Sequence, residues 1–105
     1  MIIKEIMQED IVQQNLFQDQ YKESEIKFGF VKIKPGERLP LSGTTSHIEN
    51  EYSFIVRGSL TGESGGKNYR ISQGEASFIP AGEPHWCMND SEETVELVYA
   101  LLDIK

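Results

Sequence analysis

Cysteine is nearly missing from this chain. Cys87 stands alone among 105 residues, so no disulfide can close within it. Histidine is almost as scarce, with His47 and His85 making up the whole supply. Basic residues are also short: 10 Lys and Arg stand against 17 Asp and Glu, a net charge of -7. With no Lys/Arg cluster either, the chain lacks the electrostatic footprint of a nucleic-acid or anionic-membrane binder. No apolar stretch approaches the roughly 20 residues that a bilayer-spanning helix needs. Residues 1–10 lack the long apolar core and small-residue cleavage site of a secretion signal. The expectation is a cytoplasmic protein with neither membrane nor nucleic acid as partner.

What is present suffices for one packed core. Apolar residues make up 38% and aromatics 10%, which argues against disorder. The length suits a single domain over residues 1–105. Alternating apolar and polar residues predict strands at 26–34, 51–57, 59–63, 68–71, 76–79, 85–88 and 94–104. Residues 2–7 suggest a short strand, and residues 39–45 a loop. Residues 9–22 are Gln-rich, with Ile11, Val12, Leu16, Phe17 and Tyr21 as apolar members; that pattern suits a short helix or an irregular cover strand equally. Gly65-Gly66 reads as a hairpin turn. Short strands punctuated by Gly, Pro and Asn turns point to an all-β barrel or sandwich.

Two stretches carry more than fold. The first runs Gly74, five residues, Pro80-Ala-Gly82, two residues, His85, three residues, Asn89. Pro80 presets one dihedral of a tight corner and Gly82 is free to take a positive one. His85 therefore opens a strand just past a rigid bend. At ordinary residue frequencies such a match arises by chance on the order of one time in ten million per start position. The second stretch runs His47, three residues, Glu51, six residues, Gly58.

Together these stretches resemble the two motifs of the cupin superfamily, and the resemblance covers residues 36–89. It implies a double-stranded β-helix, or jelly-roll, barrel. The second motif is complete. The first usually reads Gly, five residues, His-x-His, three or four residues, Glu, six residues, Gly. Here Thr45 takes the place of its first His, and Gly36 lies three positions too early.

The resemblance places metal ligands at His47, Glu51 and His85. Two imidazoles and a carboxylate suit Fe, Mn, Ni or Zn. Taken singly, each has an ordinary alternative: a corner cap, a loop imidazole, a solvated strand-start acid. Both histidines of the chain nevertheless fall on ligand positions. Thr45 leaves three arrangements open: three protein ligands with water, a substitute ligand from Glu49 or Cys87, or a pocket without metal. Glu51 is also the candidate catalytic residue, as a base if displaced from the metal.

Strand phase extends the site. If Glu51 faces inward, so do Ser53 and Ile55, and Cys87 shares a face with His85; Thr45, Ser53, Ile55 and Cys87 are the expected pocket lining. Tyr52, Phe54 and Val56 then face outward and need cover, from the N-terminal segment or a second subunit. Small cupins commonly pair through a sheet, so the resemblance implies a homodimer. It also implies a small-molecule ligand. The expected function is a metal-dependent isomerase, lyase or dioxygenase acting on a small polar metabolite. The alternative is a non-catalytic small-molecule-binding module with a degenerate or absent metal site.

Overall fold

The computed structural model describes residues 1–6 and 12–104. Nine strands form two antiparallel sheets, with no helix among the described residues. The larger sheet takes β1 (Gln13–Tyr21), β2 (Ser24–Ile33), β9 (Val95–Asp103), β4 (Asn50–Arg57) and β7 (Ala76–Ile79), in the spatial order β1-β2-β9-β4-β7. The smaller takes β3 (Arg38–Leu39), β8 (His85–Met88), β5 (Ser59–Ser64) and β6 (Lys67–Ser72), in the order β3-β8-β5-β6. Consecutive strands such as β4 and β5 fall in different sheets. That crossing back and forth makes the chain a jelly-roll barrel.

Period-two alternation decides which side chains meet inside. On β4, Ser53 and Ile55 point in while Phe54 and Val56 point out; on β9, Val95, Leu97 and Tyr99 are buried. Those of β9 meet Ile33, Ile55, Leu60 and Ile71 in one core cluster between the sheets. Each such aliphatic side chain contributes about 1.5–3 kcal/mol on burial. Ile55, Leu60, Ile71 and Leu97 of this cluster also form walls of the interior cavity that holds the site.

Within the predicted segment 9–22, Gln13–Tyr21 form a strand, β1. β1 pairs with β2, and a bulge between Asn15 and Phe17 breaks the alternation. Before it, Gln13 and Asn15 lie opposite Val31 and Gly29 and face inward; after it, Phe17 lies opposite Phe28 and faces outward. Residues 2–6 form no strand, and Met7 and Ile11 lie outside the described residues. The predicted loop at 39–45 holds for its middle; Leu39 ends β3 and Thr45 forms an isolated bridge with His85. Gly29 is needed for contact rather than flexibility. A Cβ there would lie 2.5 Å from the Gln14 carbonyl oxygen and collide with the Tyr99 hydroxyl.

Asn89, the last position of the second motif, is a structural lock. It is wholly buried. Its amide nitrogen donates to the Ile33 and Glu93 carbonyls at 2.9 and 2.7 Å, and its side-chain oxygen accepts from the Ser91 backbone N–H at 3.0 Å and hydroxyl at 2.7 Å. A buried amide with every group satisfied fixes the turn that carries the chain from β8 to β9.

Candidate metal centre

His47, Glu51 and His85 reach the same point from three places in the chain. Glu51 is the second residue of β4, with Ser53 and Ile55 on its face. His85 starts β8 immediately after the Pro80-Ala-Gly82 corner. His47 lies in the loop before β4 and is held by that corner. Gly82 adopts a φ of 81°, a left-handed conformation that favours glycine. In that conformation its N–H donates to the His47 carbonyl at 2.8 Å. Next to it, the Ala81 N–H donates to the Asn50 side-chain oxygen at 2.9 Å. The second motif thus fastens the first, and one corner positions both imidazoles.

Thr45 contributes through its backbone. Its N–H donates to the His85 carbonyl at 3.0 Å and its carbonyl accepts from the His85 N–H at 2.9 Å. The residue that replaces the family's usual first histidine therefore clamps the strand carrying His85, while its exposed side chain sits at the cavity edge.

Ring orientation follows from the hydrogen bonds. His47 Nδ1 lies 3.2 Å from the Glu49 carbonyl oxygen and His85 Nδ1 lies 2.9 Å from the Glu83 carbonyl oxygen. A carbonyl can only accept, so each Nδ1 carries a proton and Nε2, the lone-pair atom of that tautomer, is turned to the interior. Both lone pairs meet one carboxylate: His47 Nε2 is 3.6 Å from Glu51 Oε1 and His85 Nε2 is 3.9 Å from Glu51 Oε2. Those separations are too long for hydrogen bonds. The donor atoms of all three residues lie within 4.8 Å of one another, and the three side chains are half-buried. Ligands about 2.1 Å from a shared ion stand roughly 3.0–3.4 Å apart at octahedral or tetrahedral angles. The trio is wider than that, so binding an ion would draw the three side chains together. The residues present fit a divalent transition metal.

The two substitute ligands do not join the trio. Glu49 is turned to Lys27, whose ammonium lies 3.3 Å from Glu49 Oε2. That hydrogen bond and charge raise the Lys27 pKa. Cys87 lines the same cavity, but burial, with a lesser push from the Glu51 charge, raises its thiol to about 11. It faces the interior as a neutral small group.

All four expected pocket residues, Thr45, Ser53, Ile55 and Cys87, border a cavity of about 650 Å³ that also receives the trio. Two tyrosines outside the expected lining set, Tyr69 and Tyr99, also border it. Tyr69 lies on β6 and donates its hydroxyl to the Trp86 carbonyl at 3.2 Å; burial, above all, raises its pKa. Tyr99 accepts from Gln13 Nε2 at 2.8 Å and donates to Asn15 Oδ1. Strand phase in β9 could have placed Tyr99 inward, but nothing in the sequence ties it to β1. Trp86 points away, as its phase predicts, with the Arg38 guanidinium 4.4 Å from its ring centre. Arg57 and Arg70 form surface ion pairs with Glu93 and Asp90.

A jelly roll with two imidazoles and a carboxylate converging inside it defines a class of β-barrel proteins with an internal metal-type site. The chain belongs to the cupin family: the cupin domain model matches residues 29–104. Solved structures agree on the fold. The cupin domain of Cnp3 from Schizosaccharomyces pombe superposes with a TM-score of 0.72 at 18% identity, over 85% of this chain and 61% of that one. A conserved Streptococcus pyogenes protein of unknown function superposes with a TM-score of 0.73 at 18% identity, over 94% of this chain and 79% of that one. A mutant of the salicylate 1,2-dioxygenase from Pseudoaminobacter salicylatoxidans gives 0.65 at 23% identity, over 72% of this chain and 22% of that one. Among curated proteins none matches this sequence. No helix of the described residues is long and apolar enough to cross a membrane.

Proposed function

We propose that this cupin domain holds a divalent transition metal, Fe, Mn, Ni or Zn, on His47, Glu51 and His85, and uses it to act on a small molecule in the adjoining cavity. The observation that carries the reading is the pair of Nδ1–H bonds to backbone carbonyls, which leaves both Nε2 lone pairs aimed at one carboxylate. Bound there, the metal supplies Lewis acidity toward a substrate oxygen. Isomerase, lyase and dioxygenase chemistry all suit such a centre, and a dioxygenase is among the structures sharing the fold. Glu51 brings the negative charge of the ligand set and is the group placed to accept a proton from bound substrate. Thr45, Ser53, Ile55 and Cys87 line the substrate space. The lone thiol suits a reducing compartment, and we place the domain in the cytoplasm. Elemental analysis of untagged protein prepared without chelator tests the proposal. About one transition ion per chain is expected. A content near zero, persisting after reconstitution with each of the four metals, refutes it.

One observation favours a second reading, a non-catalytic binding module. Thr45 leaves the family's usual first-histidine position without an imidazole, and no second carboxylate joins Glu51 in the group formed with His47 and His85. A protein that binds metal and ligand but turns over nothing across a broad metabolite panel would decide for this reading.

We also propose that the domain pairs with a second copy through the outer face of the larger sheet. Phe28, Tyr52, Phe54, Val56 and Phe78 stand exposed there, Phe78 at 53%. Tyr52 and Phe78 already stack at 4.9 Å between ring centres. Among the described N-terminal residues, Lys4 lies over Phe17 on β1, at the far edge of the sheet. A contiguous apolar face of this kind is normally closed by symmetric sheet packing. A monomer in light scattering at micromolar concentration refutes it.

A further inference from the structure

We propose that the substrate is a molecule with a mostly apolar body, uncharged beyond the oxygen-bearing head that meets His47, Glu51 and His85, and that phosphorylated substrates are rejected. The head rests on the metal reading above; the body rests on the cavity walls alone. Those walls are Val31, Ile55, Leu60, Ile71, Leu97 and Leu101, contributed by both sheets. At about 650 Å³ the space lies in the range that encloses a whole small molecule. The two tyrosines add ring surface rather than free donors. The Tyr69 hydroxyl is spent on the Trp86 carbonyl, and the Tyr99 hydroxyl on Asn15 and Gln13.

A phosphate would need cations or clustered N–H groups inside. The cationic side chains bordering the cavity are Lys67 and Arg70. Arg70 is already bound to Asp90 by two contacts, at 2.5 and 3.3 Å. Lys67 is exposed next to the Gly65-Gly66 turn, where water competes for it. No helix among the described residues offers an N-terminus. Glu51, Glu75 and Glu83 border the same space, and the net charge of -7 repels a dianion further. The polar groups bordering the cavity beyond the trio are neutral side chains such as Thr45, Ser53, Ser64 and Ser77, the acids Glu75 and Glu83, and the two cations already named; none of these sets is a phosphate cradle.

Calorimetric titration of zinc-loaded and chelator-treated protein with catechol, 4-butylcatechol and glycerol phosphate tests this. Zinc avoids redox chemistry with the catechol. We expect 4-butylcatechol to bind one per chain and at least tenfold more tightly than catechol, with glycerol phosphate undetected. Ile71→Trp, which fills the apolar wall, should weaken 4-butylcatechol at least tenfold and leave zinc affinity unchanged; retained zinc binding also reports that the variant is folded. Equal affinities for the two catechols overturn the inference, as does glycerol phosphate binding as tightly as 4-butylcatechol. The two readings fail separately. Zinc binding without the alkyl preference refutes the apolar body alone. An alkyl preference in chelator-treated protein that binds no zinc refutes the metal site alone.

Discussion

Metal binding should raise thermal stability, and a ligand deletion should erase most of the rise. The three donor residues sit on separate elements: His47 in a loop, Glu51 on β4 and His85 on β8. Unfolding scatters them, so an ion that holds all three binds the native state preferentially. At a free metal concentration one hundred times its Kd, the gain is about 2.7 kcal/mol. For a domain of about 100 residues each kcal/mol moves Tm by roughly 4–8 °C, so the expected rise is about 11–22 °C. His85→Ala removes one donor. Losing even an outer-shell partner lowers metal affinity about 10–100-fold, and a ligand should cost at least as much. At a hundredfold loss the same metal concentration is near Kd, and the gain falls to about 0.4 kcal/mol, or roughly 2–3 °C. Differential scanning calorimetry of both proteins, with each metal and after chelation, reads this directly. A wild-type Tm unmoved by all four metals refutes the reasoning. So does a His85→Ala variant that gains as much as wild type, because the ion would then be held elsewhere.

Asn89→Leu should destabilise by at least about 2 kcal/mol, since it leaves the buried Ile33 carbonyl without its side-chain donor and breaks the bonds to Glu93 and Ser91; urea unfolding checks this, and a change below about 0.5 kcal/mol contradicts the lock. Gly29→Ala should cost about 1–3 kcal/mol, because the Gln14 carbonyl oxygen 2.5 Å from the new Cβ is backbone and cannot rotate away. The same unfolding experiment decides it, and a neutral outcome would contradict the close approach of β1 to β2. Phe54→Glu should convert a dimer to a monomer in light scattering while keeping the circular dichroism spectrum, since it places a charge on the exposed outer face. A variant that stays dimeric would move the interface elsewhere.

Much of the fold was legible because its signals are local. Gly, Pro and Asn turns bracket strands whose alternation survives intact, so β4, β7, β8 and β9 fall within a residue of their predicted positions. The N-terminal strand was not legible. Its bulge at Asn15 and Phe17 switches the inward face partway along. The apolar residues Leu16, Phe17 and Tyr21 therefore follow neither a strand nor a helix period. Motif spacing singled out His47, Glu51 and His85, which lie close together, and phase on β4 and β8 singled out Ser53, Ile55 and Cys87, which border the cavity. What spacing could not reveal was contact between distant segments. The bond from Gly82 to the His47 carbonyl, the pairing of Glu49 with Lys27 and the hold of Gln13 and Asn15 on Tyr99 all join residues far apart in sequence. The backbone role of Thr45 was hidden for the same reason. A residue type reports its side chain, and here the N–H and carbonyl do the fastening.

The most direct measurement is anomalous diffraction from crystals of protein loaded with one transition metal. A single peak inside the barrel is predicted, about 2.0–2.2 Å from Nε2 of both His47 and His85 and from a Glu51 oxygen, with each Nδ1 still bonded to its backbone carbonyl. A peak on Nδ1, a peak on another side-chain cluster, or a fully loaded crystal with no ion at the trio would contradict the account.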